Sequence, residues 1–142
     1  MPMTYDEAVN VILEHGIGRG DVPLEDATYP DGFLGCLRPY SGLNESNFLS
    51  VMEAVIALRP HVLGVTQWER RLVSGLWGLT TKARSWGLDP AGMLQRNGVL
   101  SKEESSQLLI WVTCIEMAVS RLLHEGDPAD AMAYYRGEGP AG

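Results

Sequence analysis

The chain has 142 residues, two cysteines and a formal net charge of -7, the size of one domain that buries roughly two-thirds of its unfolded surface around a single core. Such a chain needs no disulfide or metal staple, and Cys36 and Cys114, each in an apolar context and far apart, read as reduced core residues. The charge argues against nucleic-acid binding, which asks for a dense basic face.

The charges are spread unevenly. Residues 1–31 hold seven acids against Arg19 alone, residues 32–100 seven bases against four acids, and residues 101–142 seven acids against three bases. A solubilising surface accounts for acids in this number; the functional reading is a basic protein partner. Met1 to Glu7 lacks the basic start and apolar stretch of a secretory leader, so a cytoplasmic setting is expected. The longest apolar run, Leu108 to Val112, is far short of the ~20 residues that span a bilayer, so no membrane segment is expected.

Three Ser/Thr residues are followed three positions later by Glu at the start of an apolar-periodic run: Thr4 with Glu7, Thr66 with Glu69, and Ser101 with Glu104. Each pattern is a reciprocal capping box, and Gly16, Gly87 and Gly126 stand where the corresponding helices should stop. The first helix is expected over 5–15, with Tyr5, Ala8, Val9, Ile12 and Leu13 on one face. Residues 16–43 are rich in Gly, Pro and Asp and read as one long irregular loop, whose Phe33, Leu34, Cys36, Leu37 and Tyr40 should fold back on the core. Short pairing around 34–37 is compatible with this pattern.

A second helix should begin after Asn44 as N-cap, bury Phe48, Val51, Met52, Val55, Ile56 and Leu58, and end near Leu58 because Pro60 restricts the residue before it. A third is expected over 67–86 and a long one over 102–125, with a short helix between them launched by Asp89-Pro90 and ended by Asn97-Gly98. Asp127-Pro128 should start a last short helix, and residues 137–142 should be a disordered tail. The expected fold is an all-α, single-domain bundle of about six helices over residues 1–136, its core made by the helices at 44–58, 67–86 and 102–125.

Projected at 100° per residue, the 67–86 helix places Trp68, Leu72, Leu76, Leu79, Ala83 and Trp86 on one face and Arg70, Trp77 and Arg84 on the other. A rigid indole between two guanidinium groups suits an acidic or aromatic partner surface; the competing reading packs Trp77 under another helix or the long loop, with the arginines snorkelling. With the acidic Asp21, Glu25 and Asp26 of the long loop, these three residues are the candidate partner-binding set. Gly75 and Gly78 inside the same helix mark a tight crossing, with the 102–125 helix as the expected partner.

The 102–125 helix is apolar nearly all round, with Ile110, Cys114 and Met117 opposite its main face, the pattern of a central helix or of a homodimer contact. Glu116 lies on the margin of its apolar arc. There it would either pair with Arg70 or Arg71, or serve a closed inter-helix pocket of a small-ligand binder or enzyme. His15 and His124 fall just before helix stops and read as caps. No catalytic constellation, metal-ligand spacing or cofactor fingerprint is present in the sequence, so no catalytic residue, cofactor or metal is assigned. The function expected is protein–protein interaction, in concrete form an inhibitor or immunity-type protein that masks a basic effector.

Overall fold

Thr4 accepts a hydrogen bond from the Glu7 backbone N–H while the Glu7 carboxylate accepts from that of Thr4, and the helix so capped, α1, runs over Tyr5–Gly16. In the computed structural model, which describes residues 3–17, 31–37 and 40–137, the chain continues through α2 (Glu45–Val62), α3 (Arg70–Trp77), a π-helical segment (Gly78–Lys82), α4 (Ala83–Gly87), α5 (Met93–Arg96), α6 (Lys102–Leu123) and α7 (Ala129–Tyr135). The α3, π and α4 pieces follow without a break, so the described residues hold six helical runs and no strand beyond an isolated bridge between Leu37 and Tyr40. The fold is an all-α bundle. Residues 138–142 of the expected tail, and residues 18–30 and 38–39 of the long loop, lie outside the described residues.

Asn44 caps α2 and Ser101 with Glu104 forms the second reciprocal box, on α6. The third box does not form. Glu69 instead accepts from Tyr5 Oη at 2.7 Å and Arg71 Nε at 2.8 Å, and α3 begins at Arg70, three residues later than the pattern suggests. Pro60 does not end α2: the helix continues one turn to Val62, which is buried, and Leu63 closes it with a bond to the Arg59 carbonyl. The proline costs one backbone bond, and burial of Val62 holds the turn beyond it. Asp89 does not cap a helix directly but accepts from Ala91 N in a turn, so that α5 starts only at Met93. Gly126 is not the left-handed residue after α6; Glu125 is, at φ 62°, with Gly126 N bonded to Arg121 O and Glu125 N to Leu122 O in a Schellman closure.

The core draws on α2, α3, the π segment and α6, as expected, but α1 is a full member: Ala8, Val9 and Ile12 are completely buried, and α1 packs on both α2 and α3. Gly75 and Gly78 do mark a close crossing, with α1 rather than the 102–125 helix as their partner. A Cβ on Gly78 would lie 2.0 Å from Gly16 O, and one on Gly16 would lie 2.2 Å from Gly75 O. α1 ends at Gly16 as expected, and the missing side chain there also permits this backbone approach. α6 is central, with Leu108, Trp111, Val112, Cys114, Ile115, Ala118, Val119 and Leu122 buried. By length and composition it is apolar enough to cross a membrane, a property that the length of its unbroken apolar runs does not show; in this fold its main apolar face lies in the core, while Leu109, Ile110 and Leu123 stay exposed.

The described part of the long loop folds back as expected, with Phe33, Leu34 and Leu37 buried. His15 is the latch, and not a cap: its ring is buried, and its Nδ1 accepts from Phe33 N at 2.9 Å while its carbonyl accepts from Leu34 N. That bond requires the proton on Nε2, so the neutral ring is the folded form. Burial pushes its pKa below the usual 6.5, against the opposing charge of Glu14. A histidine depressed in this way stabilises the fold fully above its unfolded pKa and loses that contribution as pH falls through the folded value. The urea midpoint should therefore fall between about pH 7 and about pH 5.5, above the range where carboxylates titrate, and His15→Gln should flatten this part of the profile.

Candidate functional site

The π segment decides which side chains share a surface. A π turn holds about one residue more than an α turn, so everything after it is rotated by roughly 100° relative to a straight helix. From this segment Thr80 Oγ1 donates back to the carbonyl oxygens of Leu76 and Trp77 at the end of α3, at 3.2 and 3.1 Å, supporting the widened turn.

Upstream of the turn, Arg70 and Trp77 point outward, so of the two readings of Trp77 the outward one is realised; Trp77 is 54 % exposed and Val73 beside it 47 %. Downstream, Arg84 is carried off their face toward α6, where Nε and Nη2 donate to the two Glu116 carboxylate oxygens, both at 2.7 Å. The expected stripe of Arg70, Trp77 and Arg84 is thus broken, and Glu116 pairs with Arg84 rather than Arg70 or Arg71. The bidentate bond raises the Arg84 pKa further. Both side chains are more than a third exposed, so the pair contributes about 1 kcal/mol at most.

Lys82 takes the place left by Arg84. Its ammonium lies 5.8 Å from the Trp77 ring centroid and 5.6 Å from that of Trp86, and desolvation lowers its pKa. Residues i and i+5 are neighbours on a π turn, which brings Trp77 and Lys82 together; the straight-helix projection separates them. The result is an exposed indole fixed by a cation, beside Val73 and Arg70.

Around the corner, the walls of α6 and the π–α4 run enclose an open cleft of about 640 Å³, lined by Thr80, Thr81, Arg84, Glu116, Val119 and Leu123 among others. It is open and partly polar, not the closed apolar pocket expected around Glu116. A smaller dimple of about 320 Å³ adjoins it through Leu123, between the start of α3 and the end of α6. Of the trio opposite the main face of α6, Cys114 is buried and Met117 packs against the core, so only Ile110, with Leu109, stays exposed. Asp21, Glu25 and Asp26 lie outside the described residues. Among those described, no group of three or more His, Cys, Asp or Glu could hold a metal ion.

The fold and site define an all-α protein with a fixed, outward-facing aromatic patch beside a helix-walled cleft. No family model matches the chain, and no curated protein or solved structure does.

Proposed function

We propose that the protein acts by binding another protein, through the patch of Trp77, Val73, Arg70 and Lys82. The observation that carries this reading is the exposure of Trp77. A large indole left 54 % open on a helix, with the Lys82 cation over its ring, forgoes burial that the core would reward, and Trp is the residue most enriched where partners bind tightly. The net charge of -7 favours a basic partner at low salt. An inhibitor or immunity-type protein masking a basic effector is the concrete form of this proposal. Cys36 and Cys114 are free thiols, in keeping with a reducing, cytoplasmic setting.

The test compares tagged wild-type protein and Trp77→Ala, each purified from the native cells at low salt and examined by native mass spectrometry. Wild type should retain a stoichiometric protein that Trp77→Ala loses, while the melting temperature stays within about 2 °C because an exposed side chain contributes within about 0.5 kcal/mol. A partner retained equally by both proteins, or by neither, defeats the reading.

A further inference from the structure

One backbone irregularity borders the cleft and another borders the dimple that adjoins it through Leu123. One wall is the π segment, through Thr80 and Thr81. The adjoining dimple, formed by Val62, Val65, Trp68, Val73, Leu122 and Leu123, is bounded by Glu125, the non-glycine residue that holds a positive φ, 62°, among those described. Glycine would take that conformation without strain, and Gly126 stands one position too late to do so. Strained residues and π turns both concentrate at binding sites. The Glu125 carboxylate makes no hydrogen bond or ion pair among the described residues. Around the dimple Val65, Val73 and Leu123 remain 45 %, 47 % and 54 % exposed.

We infer that this cleft seats an amphipathic helix of a protein partner, with an apolar side chain entering the dimple over Leu122 and Leu123 and a Lys or Arg on its flank reaching Glu125; this rests on the partner-binding reading above. The shape calls for a helix because the two walls diverge. α3 packs on α1, the π segment on both α1 and α6, and α4 on α6, so the run passes from one neighbour to the other and leaves beside α6 a wedge that a third helix fills by ridge-into-groove packing. From Val73 to Gly87 the helical wall extends about 21 Å, close to the length of a helix of about 15 residues. The charge calls for a basic helix. Of the lining residues, Arg84 is taken up by Glu116, while the Asp89 carboxylate, which also accepts from Ala91 N, lines the cleft and that of Glu125 bounds the adjoining dimple.

The probe is a fluorescein-labelled helical peptide of about 16 residues, with Leu at i, i+4, i+7 and i+11 and Lys on both flanks, compared with its counterpart carrying Glu for Lys. At low salt the Lys peptide should bind at least about tenfold more tightly than the Glu peptide by fluorescence anisotropy. Leu123→Asp, at an exposed position, should weaken it by about tenfold or more. Glu125→Gly should weaken it while raising the melting temperature by about 2 to 4 °C, since the strain is relieved and the anchor lost. No saturable binding, equal binding of the two peptides, or indifference to both substitutions overturns the inference. A native partner lost in Trp77→Ala but kept in Leu123→Asp would overturn the cleft assignment and leave the partner-binding reading standing.

Discussion

Replacing Gly78 by alanine should destabilise the fold by about 3 kcal/mol, although alanine is the better helix former by about 1 kcal/mol. The added Cβ would sit 2.0 Å from Gly16 O and 3.1 Å from Gly16 C. Both contacts are main chain, so no rotamer change relieves them; α1 and the π segment have to move apart. That movement would also loosen Gly75 against Ile12, whose Cγ2 and carbonyl lie 2.7 and 3.1 Å from where a Gly75 Cβ would be. The melting temperature should fall by about 10 °C. Ser74→Ala, at an exposed position of the same helix, should change stability by no more than about 0.5 kcal/mol. If Gly78→Ala raised stability, as propensity alone requires, the close crossing of α1 with the π segment would be refuted.

That crossing shows where sequence reading succeeds and where it stops. Two glycines at i and i+3 within a helical pattern announce a close approach, because their cost is tolerated only there. Which helix approaches is a non-local fact, and Gly16, readable as a simple helix stop, gave no sign that it belonged to the same contact. The capping boxes divide in the same way. Thr4 with Glu7 and Ser101 with Glu104 form because nothing competes for the glutamates strongly enough to break them, and Glu104 accepts from Tyr40 as well. Glu69 has the same local pattern but is engaged by Tyr5, 64 residues away, and its helix starts late. The Tyr5 pKa is pushed up to about 12, first by that hydrogen bond.

The site was less legible than the fold because it depends on helical phase. Assigning Arg70, Trp77 and Arg84 to one face assumes 100° per residue throughout, and the π segment breaks the assumption between the second and third of them. Trp77 keeps the place that the projection gives it, opposite the main core face, because it precedes the segment. Arg84 follows it and meets Glu116, and the Lys82 contact with Trp77 exists only on a widened turn. A wide turn is favoured here by tertiary contacts: Gly78, at its first position, is pinned against α1, while Ala83, just after its end, is fully buried. No single residue in the stretch Gly78-Leu79-Thr80-Thr81-Lys82 encodes it. The left-handed conformation at Glu125 was hidden for a related reason, since Gly126 is the residue that propensity would place there.

Phe48→Ala should cost about 3 to 5 kcal/mol and lower the melting temperature by about 10 to 15 °C, whereas Phe48→Leu should cost less than about 1.5 kcal/mol. Phe48 is completely buried and stacks on Trp111 at 5.6 Å with the rings 12° apart, and it meets Tyr135 at 4.8 Å. Trp111 in turn contacts Phe33 at 6.4 Å. One side chain of α2 therefore connects α6, α7 and the segment that His15 latches to α1. Leucine refills most of the volume and loses the ring contacts; alanine leaves a cavity that three separate elements would have to close together. Besides its buried Ala131 and Met132, the polar ties of α7 add little. Its Tyr135 hydroxyl bonds Glu45 at 2.5 Å, and Asp130 pairs with Arg121 at 3.5 Å, but both contacts are solvent-exposed, where a pair of this kind contributes about 1 kcal/mol or less. Calorimetry of the two variants, with a double-mutant cycle against Trp111→Leu, measures this directly: a coupling of at least about 0.5 kcal/mol is expected for side chains in contact. A loss of less than about 1 kcal/mol in Phe48→Ala would mean that α7 and the 31–37 segment are held by contacts other than this aromatic cluster, Ala131, Met132, Leu34 and Leu37 among them, and that the cluster is not the centre of the core.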